Sequence, residues 1–271
     1  MATIAFINQK GGCGKSSTCF HLAGALANQG LRVLLVDVDP QGSLGQGYFG
    51  SQWVENLSLA ETVAAAFTES SNYPDPSRLL RPTRWPGITL LPANQLLAPF
   101  NIPSPEQLGL EQFALHEFLQ PCGTAFDITL IDCPPNLYRC SWSALLTADY
   151  VLIPVPPEDF GAQGLRVVQQ AIEQAQRLNS NLQLLGQLVT RFDRRLIVHR
   201  TYERRLRQIY GDTVLATTIP EASAFKVALT CRQPVTFHDP RSVAARLTCE
   251  LSREILDRIT VRTREAATAA W

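Results

Sequence analysis

The chain has 271 residues, carries 24 basic and 24 acidic side chains, and so has a formal net charge of zero. That length suits one α/β domain or two small ones and can bury a substantial core. Zero net charge excludes a polycation, so any contact with nucleic acid has to come from a local basic patch.

The first element is the apolar run "TIAFI" (3–7), read as a buried strand. It leads into "NQKGGCGKSS" (8–17), which holds Lys10 and Lys15, two of the chain's three lysines. Residues 16–29 have helical periodicity, with Gly30 as a stop. Further buried strands are expected at 32–38, 88–93, 127–132, 150–155, 182–190 and 213–219. Ser58 and Glu61 form a capping-box pattern before "TVAAAF". Residues 70–87 are proline-rich and read as irregular. Helices are expected at 161–178, through 197–210 and at 242–259. Continuous rather than alternating hydrophobicity in the strands, interleaved with helices, predicts an α/β fold: a doubly wound, mostly parallel sheet flanked by helices. No repeat or linker interrupts it, so one domain over 1–271 is expected, with a loosely ordered tail from about residue 261.

Seven cysteines lack CxxC spacing and four histidines are scattered. This pattern argues for reduced, buried thiols and against zinc. The start of the chain has no charged n-region, and nothing approaches the ~18–20 apolar residues of a membrane span. A cytoplasmic protein is expected.

The glycine loop carries the chemistry. Lys10–Ser16 reads K-G-G-x-G-K-S, between a strand and a helix, as a phosphate-binding loop requires. Glycines at 11, 12 and 14 let backbone amides, with that of Cys13, turn toward phosphate oxygens. The helix N-terminus adds free donors and a positive dipole end. Lys15 is placed for the β- and γ-phosphates, the Ser16 hydroxyl for Mg²⁺, and Ser17 for the α-phosphate. Asp37 and Asp39 close one apolar run and Asp132 another, at the carboxyl ends of strands, where α/β sheets bind ligands. Asp37 reads equally as a strand-end cap.

"KGGCGKSS" resembles the deviant Walker A motif of the ParA/MinD family of partitioning and positioning ATPases, a branch of the P-loop NTPases. "VLLVDVDPQGS" (33–43), "FDITLIDCPPNL" (126–137), "VLIPVPPEDFGAQGL" (151–165), "LVTRFD" (188–193) and "TIPEA" (218–222) are similar to the family's other motifs, in order. The resemblance implies ATP and Mg²⁺ as ligands, with Ser16 and Asp132 on the metal. It implies that Lys10 is the signature lysine, reaching the phosphates of a second subunit, and that Asp39 orients the attacking water. It also places Thr190, Arg191 and Pro220 near the base, and Glu158 and Asp159 near the ribose or the dimer face.

The stretch 191–207 is rich in arginine. On a helix through 197–210, Arg200, Arg204 and Arg207 share one face, while Tyr202, Leu206 and Ile209 are expected to turn inward. Such a row suits either contact with a phosphate backbone or a solvated face paired through Glu203. The resemblance implies the former: a homodimer, formed with ATP, that binds DNA without sequence preference through Arg194, Arg195, Arg200, Arg204, Arg207 and Lys226. It further implies a ParB-like or adaptor partner that stimulates hydrolysis, a cargo such as a plasmid, chromosome or protein organelle, and a nucleoid-associated location. Membrane association of MinD type is the alternative. The C-terminal stretch argues against it, because Leu251, Ile255 and Ile259 are interrupted by Thr and Arg.

Overall fold

The computed structural model describes residues 2–68, 75–157 and 162–269, without the side chains of Glu106, 162–163 and 264–269. One seven-stranded sheet runs through it: β1 (Ala2–Phe6), β2 (Val33–Asp37), β3 (Arg81–Pro82), β4 (Ile88–Leu91), β5 (Ile128–Asp132), β6 (Tyr150–Val155) and β7 (Gln183–Val189). Their order is β3-β4-β2-β5-β1-β6-β7, and only β3 is antiparallel to its neighbour. The central strands are buried along both faces, which explains their unbroken apolar sequences.

Side chains alternate between two cores. Ile4 and Phe6 of β1 face one layer, with α1 (Lys15–Ala27) and α10 (Val243–Ala269). Ala5 and the following Ile7 face the other, with α4 (Ala114–Leu119), α5 (Arg139–Thr147), α6 (Ala162–Gln176) and α7 (Ile197–Tyr210). Short helices α2 (Ser43–Phe49) and α3 (Ser51–Glu55) follow β2; α8 (Ser223–Thr230) and α9 (Val235–His238) precede α10.

Four expectations change. The run 213–219 is no strand. It touches β7 through a single bridge between Gln187 and Val214, and the Glu254 carboxylate takes the amides of Ala216 and Thr217 at 2.7 and 2.8 Å. The region 70–87, expected to be irregular, contains a short strand, β3. The Ser58–Glu61 capping box forms, with the Ser58 amide donating to Glu61 at 3.0 Å, but it caps a tight 3₁₀ turn at Leu59–Glu61, and the following 3₁₀ turn at Val63–Phe67 is capped by Thr62. The last helix runs past 259 to Ala269; within it Leu251 and Ile255 are buried and Ile259 packs against the core. Among the described residues, no helix is long and apolar enough to cross a membrane.

Candidate functional site

The carboxyl edge of the sheet gathers the sequence-predicted groups at the ends of β1, β2 and β5. The turn out of β1 is held by Asn8, a buried residue whose side-chain amide donates to the Pro154 carbonyl at 2.7 Å. Its side-chain oxygen accepts the Lys10 amide at 3.0 Å. The loop then turns through Gly12 (φ 70°) and Gly14 (φ 93°), left-handed conformations that favour glycine. Gly14 caps α1. From Gly11 to Ser17 no backbone amide finds a backbone carbonyl among the described residues; Thr18 is the first to do so, with Gly14 at 2.8 Å. The loop therefore presents unspent donors at a helix N-terminus, the arrangement that binds phosphate.

The two lysines behave differently. Lys15 is 6% exposed and folds inward, its ammonium donating to the carbonyls of Asn8 (3.0 Å) and Lys10 (3.3 Å). Lys10 is half-buried, and its ammonium has no partner among the described residues.

Asp132 and Asp37 lie side by side in register on β5 and β2, both fully buried. Asp37 is spent on structure: its carboxylate accepts the amides of Asp39 at 3.1 Å and Leu44 at 3.0 Å, holding the β2–α2 turn. Burial, then the charges of Asp132 and Asp39, pushes its pKa well above the usual carboxylate range. Asp132 is the opposite case. Neither of its oxygens has a well-formed hydrogen bond among the described residues. Burial lifts its carboxyl to about 7, with Asp39 adding to the rise, while the nearby Ser16 hydroxyl and Lys15 favour the anion. An orphaned, buried carboxylate beside a serine hydroxyl at a loop of free amides fits a hard divalent cation, which takes oxygen ligands and offsets the desolvated charge. Asp39 sits at the rim, 8% exposed, accepting the Gln41 amide at 2.9 Å.

A second tier of groups locks the loop from the other side. The Thr190 hydroxyl donates to the Cys13 carbonyl at 2.7 Å, and Arg191, at φ 52°, donates to the Gly12 carbonyl at 3.3 Å. Arg191 also meets Glu221 at 3.5 Å, and Glu221 pairs with Lys226 of α8 at 3.1 Å. Pro220 bridges to Phe192, so the 218–220 segment runs beside Thr190 and Arg191. Asn8 and Glu221 were not singled out in the sequence. Asn8 had a signal, a polar side chain ending an apolar strand; Glu221 had none, since the Arg191 that ties it to the loop lies thirty residues away. Glu158 and Asp159 lie outside the described residues.

The arginines named for DNA divide into classes. Arg194, Arg200 and Arg204 are exposed and without partners among the described residues. Arg195 is clamped on Asp193, with a closest approach of 2.8 Å. Arg207 pairs with Glu203 and donates to the Leu215 and Ala216 carbonyls at 3.0 and 3.4 Å, so it ties α7 to the 213–219 segment. Lys226 is engaged with Glu221. Leu206 is buried and Tyr202 packs against the core as expected, but Ile209 points to solvent.

A parallel sheet with a lysine-containing glycine loop between β1 and α1, and an acid ending the neighbouring strand, defines a P-loop nucleoside triphosphatase. The family model described as an AAA domain matches residues 1–184. The chain is 33% identical to the chromosome-partitioning ATPase Soj of Thermus thermophilus, covering 94% of this chain and 96% of that one. An uncharacterized Mycobacterium tuberculosis protein is 34% identical over 94% of this chain and 78% of its own length. Among solved structures, cobyrinic acid a,c-diamide synthase from Mycobacterium smegmatis, with bound ATP analogue and magnesium, superimposes with a TM-score of 0.78 at 29% identity, covering 96% of both chains. The chain belongs to the ParA/MinD family of ATPases.

Proposed function

We propose that this protein is an ATP- and Mg²⁺-dependent dimeric switch that binds DNA without sequence preference and positions or partitions a cargo, hydrolysis driving release. The observation that carries this reading is the division of labour between the two lysines. Lys15 is buried against its own loop, while the Lys10 ammonium, half-buried and without a partner among the described residues, is available to phosphates held by a second copy. The printed name of the Thermus relative, a chromosome-partitioning ATPase, supports the cargo-positioning role.

Nucleotide binding draws the Lys15 ammonium from the Asn8 and Lys10 carbonyls onto the β- and γ-phosphates, beside the free amides of residues 11–17. Ser16 and Asp132 hold Mg²⁺, which supplies charge neutralisation on the phosphates. Asp39 orients the attacking water; phosphoryl transfer asks for positioning more than for a strong base. Lys10 of the partner subunit adds charge in trans, as an arginine finger does, so hydrolysis waits for dimerisation. Basal turnover is slow and rises with a ParB-like or adaptor partner. Arg194, Arg200 and Arg204 give the DNA contact, and the protein is nucleoid-associated in the cytoplasm. The burial of Leu251 and Ile255 in the core favours this over the MinD-type reading, which needs a free membrane-surface helix.

The test separates the lysines. Lys15→Ala abolishes binding of a fluorescent ATP analogue. Lys10→Ala binds it as a monomer with affinity within about threefold of wild type, because no phosphate contact within the subunit is lost, but neither dimerises in light scattering nor hydrolyses ATP. Normal hydrolysis by Lys10→Ala sinks the trans arrangement.

A further inference from the structure

Away from the phosphate loop, a cavity of about 330 Å³ lies between the α2–α3 corner and the turn that follows α8, lined by Phe49, Gly50, Gln52, Trp53, Asn56 and Arg232. All six are described residues. The rings of Phe49 and Trp53 stack at 4.4 Å, with 29° between their planes, and give the cavity an aromatic wall. Gln52 and Asn56 stand four residues apart on α3 and its C-cap, so they share one face. Their side-chain amides and the Trp53 indole N–H have no hydrogen-bond partner among the described residues. Arg232 is held here against a backbone preference. Its φ of 56° lies in the left-handed region that side chains with a Cβ seldom adopt. The turn is fixed from outside: the Arg84 guanidinium donates to the carbonyls of Cys231 at 2.7 Å and Arg232 at 3.2 Å, and the Trp85 indole N–H donates to that of Arg232 at 3.1 Å. On the cavity side, Nη1 of Arg232 donates to the Phe49 carbonyl at 3.3 Å. Gly50, at φ 96°, makes room for it, since a Cβ there would come within 2.5 Å of Nη2.

The cavity therefore gathers a fixed guanidinium, two amides and an indole N–H beside an aromatic pair. No acid lines it, Glu55 of α3 included, and Arg232 has no acidic partner among the described residues. A non-glycine residue kept in the left-handed region by its surroundings is a mark of a functional position. We propose that this cavity binds a carboxylate carried on an aromatic body, the carboxylate held by Arg232 with Gln52 and Asn56 and the ring packed on Trp53. A pinned guanidinium with spare N–H groups suits a planar carboxylate. Its single positive charge matches a monoanion better than a phosphate monoester, which carries about −1.5 to −2. The volume lies at the small end of ligand pockets, roughly 300–1,000 Å³, so it takes one small acid or the last residue of a peptide chain. Both present the same chemistry, a carboxylate next to a ring.

The probe is 3-phenylpropionate, set against its neutral amide, 3-phenylpropionamide. Binding is read by NMR at the Trp53 indole N–H of the full-length protein, a signal assigned with Trp53→Phe. The acid shifts that signal saturably, with a Kd below about 1 mM. The amide binds at least roughly tenfold more weakly, because the charge-assisted bond is lost. Arg232→Gly weakens the acid to a similar degree and stays folded: glycine adopts this φ freely, and Arg84 and Trp85 hold the carbonyl of residue 232 rather than its side chain. Circular dichroism and nucleotide affinity check the fold of the variant. Arg232→Lys keeps the charge without the planar fork and recovers only part of the affinity. A short peptide ending in phenylalanine, with its carboxylate free or amidated, distinguishes the sources. Tighter binding of the free peptide than of 3-phenylpropionate makes a chain end the ligand, and weaker binding makes it a small acid. Equal binding of acid and amide, no saturable shift with the acid or the free peptide, or an unchanged affinity in Arg232→Gly overturns the proposal. So does tighter binding of phenyl phosphate than of 3-phenylpropionate. Weaker binding of duplex DNA by Arg232→Gly also overturns it, by making a phosphate backbone the occupant. None of these outcomes bears on the Lys10 test, so the two readings fail separately.

Discussion

Asp132 concentrates the electrostatic strain of the site. Its carboxyl is lifted to about 7 by burial, and it neighbours Asp37, itself raised, so the two titrate as a pair. In the unfolded chain an aspartate ionises near pH ~4. Below that pH both states hold the proton, and Asp132 costs the fold nothing. Between ~4 and about 7 the unfolded state releases its proton while the folded state keeps it, so stability falls as pH rises. Above about 7 the folded state carries the buried charge and the loss is complete. Urea unfolding without nucleotide or metal therefore shows Asp132→Asn gaining on wild type as pH rises through this window, by on the order of 4 kcal/mol at most. The same variant loses Mg²⁺-dependent tightening of nucleotide binding. A stability difference that is flat from pH 4 to pH 8 would show that the carboxylate is satisfied in solution by groups other than a cation.

At the scale of elements, α7 shows how one helix serves several masters. Arg200, Arg204 and Arg207 share a sequence register, yet only the first two are without a partner among the described residues. Arg207 spends its guanidinium on Glu203 and on two carbonyls of the 213–219 segment, which lacks a full strand ladder of its own. A hydrogen bond from a charged donor is worth more than a neutral pair, and the one to the Leu215 carbonyl is partly buried. Arg207→Ala should cost about 2 kcal/mol in denaturant unfolding, whereas Arg204→Ala stays within about 0.5 kcal/mol of wild type. If the two cost the same, the tether is not structural. A weakening of DNA binding in Arg207→Ala thus has to be corrected for stability before it is assigned to contact.

The whole molecule was legible in proportion to how local its causes are. Strands β1, β2, β4, β5, β6 and β7 follow from unbroken apolar runs, because a parallel sheet covered on both faces needs nothing else. The loop from Lys10 to Ser16 and the acid at Asp132 follow from spacing and strand ends. Long-range causes were invisible. The 213–219 run has strand composition, but Glu254, nearly forty residues on, takes two of its amides. β3 is only two residues long and includes Pro82. Ile209 has the spacing of a core residue, yet among the described residues it stands exposed. Asp37 and Asp39 look alike in sequence, and only the turn they share makes one a scaffold and leaves the other at the rim.

The account's central claim is that nucleotide state governs DNA binding through dimerisation. The most direct measurement is fluorescence anisotropy on a random-sequence duplex, with wild-type protein, Mg²⁺ and either ADP or a non-hydrolysable ATP analogue, repeated over a range of salt. The account predicts binding at least roughly tenfold tighter with the ATP analogue, falling steeply as salt rises because the contact is to phosphates. Equal affinity in the two nucleotide states would contradict it.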